Sequence, residues 1–174
     1  MNACNDEADR TADDARLSFF CRMFDASGVS QRVAAQSLVA CRPAEDALAW
    51  VDLCDPKPEE VDAVWAAWEL PAAARQFLEH GTVPEVGQSE SCFWVRAVVA
   101  GGSGDKDKLR GIVLVCVAST DRVVTFRRER IDFLEQMRVQ QPGKVGVLRA
   151  ESFVVTLLDR LLASYFKAID EHEL

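Results

Sequence analysis

No catalytic constellation stands out in this chain of 174 residues, in which histidine is scarce. Its two histidines are His80, at the end of a predicted helix, and His172, in the acidic C-terminal stretch. Neither has an obvious nucleophile or third partner, so an acid–base triad has little support. We therefore predict that the protein is not an enzyme.

The cysteines are too widely spaced for a structural zinc site, which requires close pairs such as C-x-x-C. Several of them lie in apolar segments, where a thiol serves as a small core residue. Because no secretory signal precedes them, we expect the protein to lie in a reducing cytosol. The six residues are Cys4, Cys21, Cys41, Cys54, Cys92 and Cys116.

The stretch AVVAGGSGDKDK resembles a phosphate-binding glycine loop. Such a loop must lead into a helix whose amide groups face the phosphates. A second apolar strand follows instead, so we interpret the stretch as the tip of a β-hairpin. Asp105 and Asp107 lie in this tip, where a solvated loop is a simpler interpretation than a cation site.

The four tryptophans have two interpretations, an aromatic cage for a ligand or residues of the core. Their spacing within predicted strands and helices favours the core. The residues are Trp50, Trp65, Trp68 and Trp94.

The chain is acidic, with a formal net charge of −8. This charge disfavours binding to nucleic acid or anionic lipid, because both require clustered lysine and arginine. Hydrophobic residues make up 49% of the sequence, which suits one sizeable core in a single domain. Residues 1–16 are polar and acidic, and we predict that they form a disordered tail. No run of about 18 apolar residues is present, so no membrane-spanning helix is predicted.

Hydrophobic patterning predicts strands that alternate with helices, followed by a strand meander. The predicted strands cover residues 17–25, 48–53, 91–100, 111–119 and 122–128. The predicted helices cover residues 58–70, 71–80, 129–141 and 151–174, and residues 33–41 fit either a strand or a short helix. We therefore predict an α/β fold in which helices sandwich a mixed parallel and antiparallel sheet (α/β/α), with a long helix at the end.

The last predicted helix, residues 151–174, has a broad apolar stripe made of two rows. No glycine, asparagine or proline ends this helix, and its last residues are acidic although a helix C-terminus favours cations. The sequence therefore contains no recognisable stop signal for this helix. One row is Phe153, Leu157, Leu161 and Tyr165, and the other is Val154, Leu158, Leu162, Phe166 and Ile169.

Three segments carry a family resemblance through their order along the chain. They are WVDLCDPKPEEVDAVWAAWELP, then GIVLVCVASTDRVVTFRRERIDFLEQMR, then ESFVVTLLDRLLASYFKAIDEHEL. The first is similar to a strand, proline and acidic helix of the CorA-type divalent cation transporters. The second resembles a strand pair of that family with a threonine in its last strand, and the third resembles the helix before its long stalk helix. The matching residues are Trp50, Val51, Asp52, Leu53, Pro56, Glu59, Glu60, Pro71, Thr125, Arg127, Leu157, Leu158, Asp159, Leu161, Tyr165 and Phe166.

The resemblance implies that residues 17–174 are the cytoplasmic α/β/α domain of a homopentameric transporter whose stalk and membrane helices are absent from this chain. In the magnesium branch of the family, a Glu-Asp pair helps to bind regulatory divalent ions between subunits, and this chain has Arg75 and Gln76 at the matching positions. An arginine repels cations, so this departure disfavours magnesium sensing of the usual kind. The replaced pair, together with the segment RVVTFRR, favours the zinc-transporting ZntB branch or a divergent member of the family. Asp159 matches a second family carboxylate and is the one predicted ligand of a regulatory Mg²⁺ or Zn²⁺ ion.

We interpret the chain as the cytoplasmic regulatory domain of a CorA/ZntB-like magnesium or zinc transporter. It is expected to form an acidic funnel below the pore, to couple to pore gating and to lie at the cytoplasmic face of the inner or plasma membrane. Its expected partners are copies of itself, divalent cations and, through the absent helices, the membrane, but not nucleic acid. The alternative is a free-standing soluble module that binds a partner or small ligand through the apolar side of the last helix.

Overall fold

A computed structural model describes residues 19–25, 30–33, 43, 47–79, 81–102, 109–139 and 149–172. The backbone of His172 lies in the last helix, but its side chain is not described. The predictions that lie outside the described residues concern the tail over residues 1–16, all of residues 33–41 except Val33, and Cys4, His80, Asp105 and Asp107.

The described residues form seven strands and four helices. The strands are β1 (Phe19–Phe24), β2 (Ser30–Arg32), β3 (Leu48–Cys54), β4 (Glu85–Gln88), β5 (Cys92–Gly102), β6 (Leu109–Ser119) and β7 (Arg122–Arg127). The helices are α1 (Pro58–Trp68), α2 (Ala72–Glu79), α3 (Asp132–Val139) and α4 (Ala150–His172). None of these four helices has the length and apolar character that crossing a membrane requires.

The predicted mixed sheet is confirmed, and its strand order is β2-β1-β3-β7-β6-β5-β4. The central strands β3 and β7 run parallel, whereas all other neighbouring strands are antiparallel. The sequence did not predict β2 and β4, which lie at the two edges of the sheet. Three of the four residues of β4 are exposed, so this strand lacks the apolar pattern by which strands are recognised.

Helices cover both faces of the sheet, which confirms the α/β/α arrangement. Successive side chains of a strand point to opposite faces, so β3 contributes alternate residues to two cores. Ala49, Val51 and Leu53 pack under α1 and α2. Leu48 and Trp50 pack under α3 and α4. All four tryptophans are buried, in agreement with the core interpretation.

Arginines from three strands hold the C-terminal ends of three helices. Arg122 donates to the carbonyl oxygen of Trp68 at the end of α1, at 3.3 Å. Arg96 donates to the carbonyl oxygen of Phe77 in α2, at 2.6 Å, and Arg22 does the same for Arg138 in α3, at 2.5 Å. The last carbonyl groups of a helix lack intrahelical partners and carry partial negative charge. The arginines therefore tie α1, α2 and α3 to the sheet.

Substitutions in the last helix test its orientation on the sheet. Leu157 is 2% exposed and belongs to the core under α4, whereas Leu162 on the same helix is 54% exposed. We expect Leu157→Ala to lower the free energy of unfolding by about 2–5 kcal/mol, because it leaves a cavity. Leu162→Ala is the matched control and should change it by less than about 0.5 kcal/mol. Urea unfolding followed by tryptophan fluorescence measures both, and equal losses would contradict the orientation.

Candidate functional site

Asp159, the predicted metal ligand, lies exposed on α4. Within the described part of the chain, no group of three or more histidine, cysteine, aspartate or glutamate residues is placed to hold a metal ion. Mg²⁺ and Zn²⁺ need several protein or water ligands, and one carboxylate does not make such a site alone. The role of Asp159 therefore stays a prediction, and any ion there would take its other ligands from elsewhere.

Arg75 and Gln76, which replace the acidic pair of the resembling family, lie on α2. Arg75 forms an ion pair with Asp62 of α1, with 3.2 Å between its Nη2 and Oδ1 of the carboxylate. The side chain of Asp62 is 69% exposed, so this pair lies at the protein surface. A surface ion pair contributes less than about 1 kcal/mol to stability. The charge of Arg75 is thus paired with that of Asp62 between α2 and α1.

The strongest polar cluster of the described residues surrounds Asp52 of β3, which is completely buried. One carboxylate oxygen accepts hydrogen bonds from Arg127 Nη2 at 2.9 Å and from Arg138 Nε at 2.7 Å. The other accepts one from the hydroxyl of Thr125 at 2.7 Å. That hydroxyl in turn accepts a hydrogen bond from Trp50 Nε1 at 3.0 Å. Both oxygens of this buried carboxylate are therefore satisfied within the protein.

Glu135 of α3 supplies the second carboxylate of this cluster. It accepts a hydrogen bond from Arg127 and lies 3.9 Å from Arg138. Burial lowers the pKa of Arg127, but the charge of Asp52 and the hydrogen bonds that Arg127 donates to both carboxylates more than reverse this, so the pKa of Arg127 is raised overall. We call Asp52, Thr125, Arg127, Glu135 and Arg138 the buried charge network.

The buried charge network joins separate elements rather than forming a binding site. Asp52 and Thr125 are directly opposite each other in the parallel pair of β3 and β7, whereas Glu135 and Arg138 belong to α3. The Asp52 side chain has no exposed surface that a ligand could contact. The network therefore fixes α3 to the centre of the sheet. The sequence resemblance singled out Asp52, Thr125 and Arg127, but it did not predict that they contact one another.

The described cysteines fit their interpretation as core residues. Cys21, Cys92 and Cys116 are buried, and Cys54 is partly buried. Burial raises the pKa of the Cys116 thiol to about 12 and also raises the pKa of Cys54 and Cys92. A thiol that keeps its proton is a poor nucleophile and a poor metal ligand. These three cysteines therefore have the properties of packing residues.

One side of α4 exposes a continuous set of large apolar side chains, which we call the apolar row. Tyr165 lies at the edge of this row that faces the sheet, and its hydroxyl donates to the carbonyl oxygen of Val98 in β5 at 2.5 Å. The sequence predicted one broad stripe, but the structure buries only its inner part against the sheet. The exposed residues are Val155 (65%), Leu158 (37%), Leu162 (54%), Tyr165 (38%), Phe166 (66%) and Ile169 (48%).

Removing the carboxylate of the buried charge network should strongly destabilise the protein. In Asp52→Asn, Arg127 and Arg138 stay buried while Glu135 remains as the one carboxylate of the network, and we expect a loss of about 3–5 kcal/mol in the free energy of unfolding. The matched control is Asp62→Asn, which removes the exposed partner of Arg75 and should cost less than about 1 kcal/mol. Urea denaturation measures both values. Similar small losses for the two variants would contradict the importance of the network.

Comparison with known proteins was made by sequence and by structure. The family model of the CorA-like Mg²⁺ transporter protein matches residues 45–174. No curated protein matches the chain.

Several solved structures share the fold. Full-length CmaX superimposes with a TM-score of 0.74 and 16% identity, over 87% of this chain and 47% of that one. The soluble domain of CorA from Methanocaldococcus jannaschii superimposes with a TM-score of 0.67 and 18% identity, over 88% of this chain and 60% of that one. The ZntB cytoplasmic domain from Vibrio parahaemolyticus superimposes with a TM-score of 0.64 and 12% identity, over 89% of this chain and 64% of that one.

These similarities differ in what they establish. The chain spans less than two thirds of the length of each of these three structures, and identities this low show the shared fold alone. The family model, in contrast, covers most of the sequence, from the start of the central strand β3 to the last residue. By its sequence, the chain belongs to the family of CorA-like Mg²⁺ transporter proteins.

Proposed function

We propose that this chain is the cytoplasmic regulatory domain of a CorA/ZntB-like transporter of Mg²⁺ or Zn²⁺. The family match over residues 45–174 carries this proposal. The fold shared with the soluble domain of CorA and the cytoplasmic domain of ZntB supports it. In this role the domain catalyses no reaction and lies at the cytoplasmic face of the inner or plasma membrane, which other parts of the transporter cross.

The acidity of the chain supports a role in concentrating cations. Its net charge is −8, and exposed carboxylates lie on both faces of the sheet, Glu59 and Asp62 on α1 and Asp159 and Asp170 on α4, so either face can present negative charge to an axis. If five copies assemble around one axis, as we propose, carboxylates that face the axis form a funnel of negative potential. Such a potential raises the local concentration of cations at the entrance of a pore.

The packing of α4 supports a role in gating. Phe153, Val154, Leu157 and Leu161 anchor this helix in the core, so a tilt of the sheet moves the helix with it. A rigid helix of this length transmits such a tilt toward the membrane. In this proposal Asp159 supplies one carboxylate to a regulatory Mg²⁺ or Zn²⁺ ion between subunits and so links ion binding to the tilt.

Ion uptake tests the proposed function. The complete product of the gene that encodes this chain is expressed in bacterial cells that lack their own Mg²⁺ uptake systems, and intracellular Mg²⁺ and Zn²⁺ are followed with fluorescent indicators. We expect expression to increase the uptake of one of the two ions. Expression at the membrane without uptake of either ion would contradict the proposal.

The role of Asp159 is tested in the same cells. If it binds a regulatory ion, Asp159→Ala should weaken the inhibition of uptake by intracellular metal, because one of its ligands is lost. The matched control is Asp132→Ala, which removes a carboxylate of α3 that is 84% exposed and far along the sequence from α4. Equal inhibition of the wild type and both variants would rule out Asp159 as a ligand while leaving the transport role in place.

A further inference from the structure

The segment that joins α2 to β5 lies along the edge of the sheet and places no side chain in the core. It covers residues 81–88, includes β4, and is called the strap below. Gly87 is partly buried and the other residues of the strap are exposed. β4 is the outermost strand of the described sheet and pairs with β5. The strap is therefore held by groups that β5 supplies rather than by buried side chains of its own.

Arg96 of β5 supplies the polar contacts of the strap and is only 4% exposed. Its Nη1 donates to the carbonyl oxygen of Val83 at 3.4 Å and to the carboxylate of Glu85 at 3.1 Å, both in the strap. Its Nη2 donates to the carbonyl oxygen of Phe77 near the end of α2, at 2.6 Å. The guanidinium carbon also lies 4.1 Å from the centre of the Phe77 ring. One planar group thus binds the strap with one nitrogen and α2 with the other.

Two glycines allow the strap to lie close to β5. Gly81 has a φ of +101°, and a Cβ at this position would lie 2.6 Å from Nη1 of Arg96. A Cβ at Gly87 would lie 2.2 Å from Nε1 of Trp94, which is its partner residue in β5. Both distances are well below the roughly 3.5–4.0 Å of a normal contact between carbon atoms. The path of the strap is therefore matched to Arg96 and Trp94 at two separate points.

We propose that the strap opens locally while the rest of the domain stays folded, and that Arg96 couples this opening to the C-terminal end of α2. Segments with few buried contacts open at free energies below that of global unfolding. When the strap opens, Arg96 loses Val83 and Glu85, and the remaining bond to Phe77 is no longer held in one geometry. Because coupling between two sites is reciprocal, loosening the end of α2 also loosens the strap. This inference concerns contacts within the domain and stands independently of the transport role.

Amide hydrogen exchange of the 174-residue chain, measured by mass spectrometry, tests the inference. In the wild type we expect the amides of β4 to exchange at least about tenfold faster than those of the central strand β3, since the strap opens alone. Glu85→Gln removes the charge that pairs with Arg96, at a side chain that is 60% exposed and outside the core. We expect this variant to exchange about threefold to fivefold faster both in β4 and in the last turn of α2.

Arg96→Lys tests whether the coupling depends on the shape of the guanidinium group. Lysine keeps the positive charge but has a single nitrogen, so it cannot bind the strap and α2 with two separate nitrogens. We expect exchange in both segments to be about tenfold faster than in the wild type, although the charge is unchanged.

Two control variants separate this effect from general destabilisation. Glu90→Gln removes an exposed carboxylate just after the strap and should leave exchange in β4 and α2 unchanged. Arg122→Gln removes the arginine that donates to the end of α1, and it should speed exchange there while leaving the strap unchanged.

Three results would overturn the inference. Equal exchange of β4 and β3 in the wild type would show that the strap opens only when the whole domain unfolds. Faster exchange of β4 without any change in α2, in Glu85→Gln, would show that Arg96 does not couple the two segments. An equal effect of Glu85→Gln and Glu90→Gln would mean that exchange responds to net charge and not to the contact with Arg96.

Discussion

The buried carboxylate of Asp52 needs positive charge and hydrogen-bond donors around it. This requirement fixes the arrangement of α3 and the central strands. Removing a charge from water costs several kcal/mol, and only good geometry with opposite charges and hydrogen bonds offsets that cost. Arg127, Arg138 and Thr125 provide these partners from β7 and α3. Because the donors come from positions 73 to 86 residues away in the sequence, the carboxylate is satisfied only when β3, β7 and α3 are all in place.

The two faces of the sheet are held by different means. On the side of α1 and α2, the core is apolar and includes Val61, Val64 and the two tryptophans of α1. On the other side, apolar packing under α4 is combined with the buried charge network under α3. Apolar packing tolerates small shifts, whereas hydrogen-bonded ion pairs require defined positions. The sheet and α3 thus form a rigid base on which α4 packs.

The sequence allowed much of the fold to be predicted, because periodicity of two in the strands and of 3.6 in the helices was clear. The short edge strands β2 and β4 were missed, since Glu85 and its exposed neighbours show no alternation. An aspartate within an apolar strand, as at Asp52, indicates a buried ion pair. Its partners Arg127 and Arg138 could not be predicted, because local sequence patterns do not show which strands pair. The sequence also showed both rows of the last helix without showing that Leu157 is buried and Leu162 exposed.

A double-mutant cycle on Asp52 and Arg138 tests the central claim most directly. It requires the free energies of unfolding of the wild type, Asp52→Asn, Arg138→Gln and the double variant. If Asp52 holds α3 through Arg138, the double variant should be more stable than the sum of the single losses predicts, by about 1 kcal/mol or more. Additive losses, with a coupling energy near zero, would show that the two residues act independently and would contradict the account.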